Sequence, residues 1–352
     1  MARREALDDP ARWTITVLPM PKRMRFAGAF GLCGGSAVGE GESRGPGMPH
    51  WWPGGQAVAI THPTEKRLSV RMASGDVIPG FWSRDSGRGG AVGWRLVEGA
   101  LEMIDLHPEK GFVKTIAMGG GGGGFAGWGE RQTKKGERAV DVALFWKPDG
   151  TMVELPPAEP GGEATASATD GAWVAGTTEH RGGRRAALWP ADGSRVIVLG
   201  EERSMSAASG VADGEQVGVR WMREGSAPAL WRGTAESLVD LTPVGHETGY
   251  ASGCARGHQV GYVQVKANTA AGHGSMATRA ALWRGDAESF VDLHAMAPAP
   301  WNASTATAIE VRDGLLRIAG GLTQFGATDE LTPREIQYVI ARRPVLWETR
   351  ID

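Results

Sequence analysis

Residues 228–241 read Pro228-Ala229-Leu230-Trp231-Arg232-Gly233-Thr234-Ala235-Glu236-Ser237-Leu238-Val239-Asp240-Leu241, and residues 280–293 read Ala280-Ala281-Leu282-Trp283-Arg284-Gly285-Asp286-Ala287-Glu288-Ser289-Phe290-Val291-Asp292-Leu293. They are the same unit, 52 residues apart. Looser copies run from Leu144-Phe145-Trp146 to Met152-Val153-Glu154-Leu155 and from Ala187-Leu188-Trp189 to Val196-Ile197-Val198-Leu199. Fainter ones follow Trp52 and Trp94, and Pro344-Val345-Leu346-Trp347 begins another near the C-terminus. The anchors Trp52, Trp94, Trp146, Trp189, Trp231, Trp283 and Trp347 are separated by 42, 52, 43, 42, 52 and 64 residues. Self-similarity at such a period is the mark of a repeat architecture.

Each unit also carries two short apolar runs upstream of its Trp, as in Tyr250–Ala255 and Gln259–Val263 around the turn Arg256-Gly257. Asp-Gly pairs punctuate the runs. Asp170-Gly171, Asp213-Gly214 and Asp313-Gly314 fall where a first hairpin belongs, and Asp149-Gly150 and Asp192-Gly193 where a last one belongs. Asp-Gly between apolar runs is a strong hairpin signal, because the turn needs positive φ. Four antiparallel strands per unit predict an all-β chain, a seven-bladed β-propeller forming a single domain over residues 1–352. The last unit lacks a fourth apolar run, and Thr14-Ile15-Thr16-Val17-Leu18-Pro19 has the character of one. The N-terminal strand is therefore expected to complete the blade formed by residues 302–352, which leaves no open edge inside the ring.

Composition agrees and excludes other classes. The 352 residues include 53 Gly and 20 Pro, which disfavours a helical protein, and 41% are hydrophobic, enough for a core. With 38 Lys and Arg against 40 Asp and Glu, no charge excess points to nucleic acid or to an anionic membrane. No apolar stretch approaches the roughly 20 residues that span a bilayer, and the N-terminus has no apolar export signal. The reading is a cytoplasmic monomer with no nucleic-acid or membrane partner and no cofactor or metal. Cys33 and Cys254 form no metal-binding spacing and read as two free buried thiols.

The unit Ala-Leu-Trp-Arg-Gly-x-Ala-Glu-Ser-x-Val-Asp-Leu, preceded by a Ser/Ala-rich run and a Gln-Val-Gly-Tyr run, resembles the bacterial HAF-type extracellular repeats. The match spans nearly the whole chain and is tightest at Trp231 and Trp283. This resemblance implies a propeller and no particular chemistry, and the missing export signal departs from it.

Candidate functional residues are those on which the loops converge. His62, His107 and His294 follow the fourth strands directly, and His246 lies a few residues beyond the equivalent point, so all four are expected on one face. Glu109 and Glu247 lie in the same connections. The insertions 266–278, with His273, and 324–340, with Tyr338, break the repeat and belong to that face; Thr332-Pro333 is placed to open a helix. A histidine at the end of Val-Asp-Leu has two readings. It caps the joint between blades, or it serves with a glutamate as an acid–base pair at the channel mouth. The function expected is a binding or interaction module for a protein, peptide or small molecule, with His62, His107, His246, His273, His294 and Tyr338 as ligand contacts. The alternative is a hydrolase, lyase or isomerase using His62, His107, His246, His294, Glu109 and Glu247. The run Gly119–Gly124 lacks the strand-to-helix context of a phosphate loop and is expected where inner strands crowd one another. The seven anchor Trp are expected between blades, while Trp82, Trp128 and Trp221, on second strands, are candidates for a groove edge.

Overall fold

The computed structural model describes residues 7–42, 47–65, 67–84, 87–131, 139–201, 204–223, 225–267, 275–326 and 338–351. Strand β1 is Thr14–Val17. Then come Phe26–Cys33 (β2), Ser36–Glu42 (β3), Met48–Trp51 (β4) and Val58–Ala59 (β5), followed by Leu68–Val70 (β6), Val77–Ser83 (β7), Gly89–Val97 (β8) and Ala100–Asp105 (β9). Next are Lys114–Gly121 (β10), Gly124–Arg131 (β11), Val140–Trp146 (β12) and Met152–Leu155 (β13), then Ala164–Thr169 (β14), Trp173–His180 (β15), Gly183–Pro190 (β16) and Ile197–Val198 (β17). Met205–Ala212 (β18), Glu215–Met222 (β19), Gly225–Trp231 (β20) and Val239–Asp240 (β21) precede Gly249–Ala255 (β22), His258–Ala267 (β23), Ser275–Trp283 (β24) and Val291–Asp292 (β25). Ala303–Arg312 (β26), Leu315–Gly326 (β27) and Tyr338–Arg350 (β28) end the chain.

Among the described residues these strands form five four-stranded sheets and one eight-stranded sheet. Each is an antiparallel meander. The larger sheet is two meanders, β6–β9 and β10–β13, joined by one parallel pair in which Lys114 lies beside Gly89. Within the first of these meanders β6 pairs with β7 only over Leu68–Val70. Beyond it the inner chain turns to its neighbour, Met72 N–H donating to Met118 O at 3.1 Å and Gly120 N–H to Met72 O at 3.1 Å. In the last sheet β1 pairs antiparallel with β28, Thr14 opposite Glu348 and Val17 opposite Val345, as the N-terminal apolar run predicts.

The repeated sequence reads out as repeated bonds. In Trp-Arg-Gly-x-Ala-Glu-Ser, Ser237 Oγ accepts from Arg232 N–H at 2.7 Å and donates to Thr234 O, and Ser289 Oγ accepts from Arg284 N–H at 2.8 Å and donates to Asp286 O. The Gln that opens each Gln-Val-Gly strand closes the same turn: Gln216 Oε1 accepts from Gly233 N–H and Gln259 Oε1 from Gly285 N–H. In Val-Asp-Leu, and in Ile104-Asp105-Leu106, the Asp side chain accepts the N–H two residues on, as Asp105, Asp240 and Asp292 do from His107, Thr242 and His294. These side chains build local turns without help from neighbouring sheets.

Buried apolar side chains lie in separate clusters between successive sheets. One joins Val217 and Leu230 to Ala251, Val263 and Trp283; another joins Ala308, Ala319 and Leu346 of the last sheet to Leu18, Ala29, Leu32 and Trp52. The seven anchor Trp are all at most 2% exposed, as the packing reading requires. The two thiols are free and buried, and burial pushes Cys33 up to about 12.

The insertions differ from the loops expected of them. Lys266 and Ala267 continue β23, Ser275–Thr278 open β24, Gln324–Gly326 end β27 and Tyr338–Ile340 begin β28. Val339, paired opposite Phe325, and Ile340, in the bulge beside it, are β-branched and lie in strand β28 rather than at the end of a helix begun at Thr332. His273 and the remainder of both insertions lie outside the described residues.

Candidate functional site

The first strands of the sheets, β2, β10, β14, β18, β22 and β26, each skip one residue in pairing with their second strands. Phe30, Met118, Ser167, Ser209, Ser252 and Thr307 fall in these bulges. The inner strands meet here. A Cβ on Gly119 would sit 2.2 Å from Ser167 O, and one on Gly121 2.0 Å from Thr169 O, so the glycine run is where two backbones touch rather than a ligand cradle. Leu32 N–H donates to Ala73 O at 3.0 Å on the other side. What remains is a cavity of about 60 Å³ lined by neutral groups, among them Ser74, Thr169, Ser209, Ser252, Cys254 and Thr307. None of the histidines lines it.

The histidines engage separate joints. Ala91 N–H, leaving its own meander, donates to Thr115 Oγ1 of the next at 2.8 Å, and that hydroxyl lies 2.7 Å from His107 Nδ1. The same node recurs at the far side of the chain: Ala280 N–H donates to Ser304 Oγ at 2.9 Å, which lies 2.9 Å from His294 Nδ1. Ala186 N–H donates to Ser206 Oγ at 3.0 Å, and there the histidine position is Gly200, whose Cβ would meet that oxygen at 2.2 Å. A hydroxyl that accepts from the amide and donates to Nδ1 satisfies all three groups when the imidazole is neutral. Burial holds His107 and His294 below the ordinary imidazole range, Arg279 adding to the effect on His294.

His62 stays within its own loop, its Nδ1 accepting from Thr64 N–H at 3.2 Å and Glu65 N–H at 3.1 Å. His246 packs on Phe290, ring centroids 5.3 Å apart. Glu109 and Glu247 are exposed. Among the described residues no hydrogen bond or ring contact joins two of these histidines, and no group of three or more His, Cys, Asp or Glu is arranged to hold a metal. Tyr338 is placed as the first residue of β28.

Sequence reasoning nominated His62 and His107 but missed what links them. Glu65 accepts two bonds from Arg84, Arg84 lies 5.0 Å over Trp82, and the edge of Trp82 meets His107 with centroids 5.9 Å apart. The Arg84 bonds hold Glu65 below the usual carboxylate range. Trp82 and Trp128 are half-buried and Trp221 is 40% exposed, so the three second-strand Trp do reach the surface. An aromatic two residues before a basic one at the end of a strand, Trp82-Ser83-Arg84, was the available signal.

No protein-family model matches the chain, and no curated protein matches it. Among solved structures, a puromycin hydrolase complexed with PGG is similar with a TM-score of 0.58 at 12% identity, over 86% of this chain and 50% of that one. A second puromycin hydrolase structure gives 0.57 at 12% identity, over 86% and 51%, and an acylaminoacyl peptidase in complex with Z-Gly-Gly-Phe-chloromethyl ketone gives 0.51 at 10%, over 88% and 51%. The chain spans about half the length of these proteins. What is shared is the fold: an all-β chain of the β-propeller kind. No helix of the described residues is long and apolar enough to cross a membrane.

Proposed function

We propose that the chain is one closed seven-bladed propeller and that it is a binding module for a protein or peptide, acting through the face at which the second strands end. The seven blades in this reading are β2–β5, β6–β9, β10–β13, β14–β17, β18–β21, β22–β25, and β26–β28 with β1. Ring closure is supported by β2, which packs on β26, β27 and β28 of the last sheet and on β7 of the second meander.

The observation that carries the binding reading is the distribution of exposed side chains. Of the ten large apolar side chains exposed among the described residues, seven lie toward this one edge of their sheets: Met48, Val113, Met205, Trp221, Met222, Val244 and Ile340. Trp and Met are favoured where a surface makes contacts, the first for area and the second for adaptability. The apolar residues on blade five, Met205 opposite Trp221 with Met222 beside it, form the densest group.

The test is affinity capture from the source cells on three immobilised chains: the natural one, Trp221→Ser/Met222→Ser, and Arg256→Ser in a hairpin of the opposite face. Proteins retained by the natural chain and by Arg256→Ser but lost from the double variant support the reading. Equal capture by all three refutes it.

A further inference from the structure

The cavity of about 60 Å³ is walled by β10, β14, β18, β22 and β26 and by residues 72–74, which follow β6. One water needs roughly 10–15 Å³ of such space, so the cavity has room for about four to six non-hydrogen atoms. That is the size of a diol or triol. Ser74 is exposed, which places one rim of the cavity at the surface. No carboxylate, ammonium, guanidinium or imidazole group lines it. Its one thiol, Cys254, is pushed up by burial and stays protonated.

The hydroxyls of this wall are unequally committed. Thr169 Oγ1 donates to Trp173 O at 2.8 Å and accepts from Gly171 N–H at 3.0 Å. Thr307 Oγ1 shares its proton between Ala29 O at 2.8 Å and Ala319 O at 3.0 Å, so its lone pairs are left to accept. Ser209 Oγ is bonded to Tyr250 OH. The hydroxyls of Ser74 and Ser252 bond to none of the described residues. Ser209, Ser252 and Thr307 are also the bulged residues of three successive inner strands that pack on one another, and a bulged residue is left out of its ladder. Neutral donors and acceptors therefore alternate around one small space.

We propose that this cavity is a binding site for a small uncharged polyol, a free diol or triol. Such a site is additional to the protein-binding face and stands or falls without it. Each class of ligand is decided by what it leaves unpaired. A carboxylate or an ammonium gives up its water where no counter-charge stands to receive it. A hydrocarbon leaves the hydroxyls of Ser74 and Ser252 facing a surface that cannot bond them. A polyol brings a donor and an acceptor to each of these groups, as they do to it, and incurs neither cost.

The experiment uses the full chain labelled with carbon-13 at the cysteine Cβ, which gives one signal from Cys254 in the cavity wall and one from Cys33 outside it. Ethylene glycol and glycerol are titrated in, beside the charged analogues glycolate and 2-aminoethanol and the apolar probe xenon. The two polyols are expected to shift the Cys254 signal saturably and leave Cys33 in place. Ser252→Ala removes a hydroxyl that bonds to no described residue, so it is expected to keep the fold and weaken glycerol roughly three- to tenfold. Gly253→Ala adds a methyl whose nearest neighbours, Thr307 O and Ile309 Cγ2, are 3.7 Å away, so it narrows the cavity without a clash and is expected to weaken glycerol at least as much. The Cys33 signal reports that each variant is folded. No saturable shift with either polyol, unchanged affinity in both variants, or tighter binding of xenon or a charged analogue overturns the proposal. Capture of cell proteins through Trp221 and Met222 is read separately, so loss of the polyol site leaves the binding-module reading standing.

Discussion

Thr115 and Ser304 show how a hydroxyl can hold two meanders together. Each accepts an amide from the preceding meander and meets a histidine that the preceding connection delivers. Thr115→Val and Ser304→Ala leave Ala91 or Ala280 with a buried, unpaired N–H, so each is expected to cost about 1–3 kcal/mol, read as a lower Tm. The histidines add a pH dependence. His50, His107, His258 and His294 are all held below the ordinary imidazole range, chiefly by burial. As pH falls below about 6.5 the unfolded chain takes up protons that the folded chain refuses, so stability drops until the lowered native values are reached. Tm is therefore expected to be flat above about pH 7 and to fall below it, less steeply in His107→Gln/His294→Gln. Of the two readings a Val-Asp-Leu-His sequence allows, the bonds at His107 and His294 favour the joint. The sequence could not choose between them, because the deciding hydroxyl lies eight residues downstream of one histidine and ten downstream of the other.

The strands and their order were legible because each element is built from its own sequence. The Ser of Ala-Glu-Ser and the Oε1 of the Gln in Gln-Val-Gly close their turns within one sheet, so a reader of the repeat is reading the turns directly. The fused sheet was not legible. It depends on a parallel pairing of Lys114 with Gly89, a contact between elements that no period records. The extended ribbons β23–β24 and β27–β28 were misread as loops because Gly, Ser and Pro punctuate them, although Val339 and Ile340 carry strand propensity. Two predictions belong here. Removing residues 1–19 strips β28 of its partner β1 and takes Leu18 out of the cluster it shares with Trp52, so the truncated chain is expected to lose stability throughout; an unchanged Tm would refute it. Gly121→Ala forces a methyl to 2.0 Å from Thr169 O, and an expected loss of several kcal/mol distinguishes it from an ordinary glycine substitution.

For the molecule as a whole, the packed joints matter more than any one sheet. Clusters between successive sheets, including one that joins the last sheet to the first, tie each sheet to its neighbours. Open repeat arrays can lose cooperativity along their length, whereas a closed ring, as proposed above, has no terminal repeat at which unfolding begins. Tryptophan fluorescence and far-UV circular dichroism are expected to report one coincident transition, and Thr115→Val and Ser304→Ala to shift it together. Two separated transitions would contradict closure. The pairing of Thr14 with Glu348 also fixes an order of events during synthesis. At about 5–20 residues per second, the first strand leaves the ribosome roughly 20–60 s before its partner exists. Through that interval Thr14–Val17 has no native strand to pair with, so the nascent chain depends on whatever keeps that segment solvated until β28 arrives.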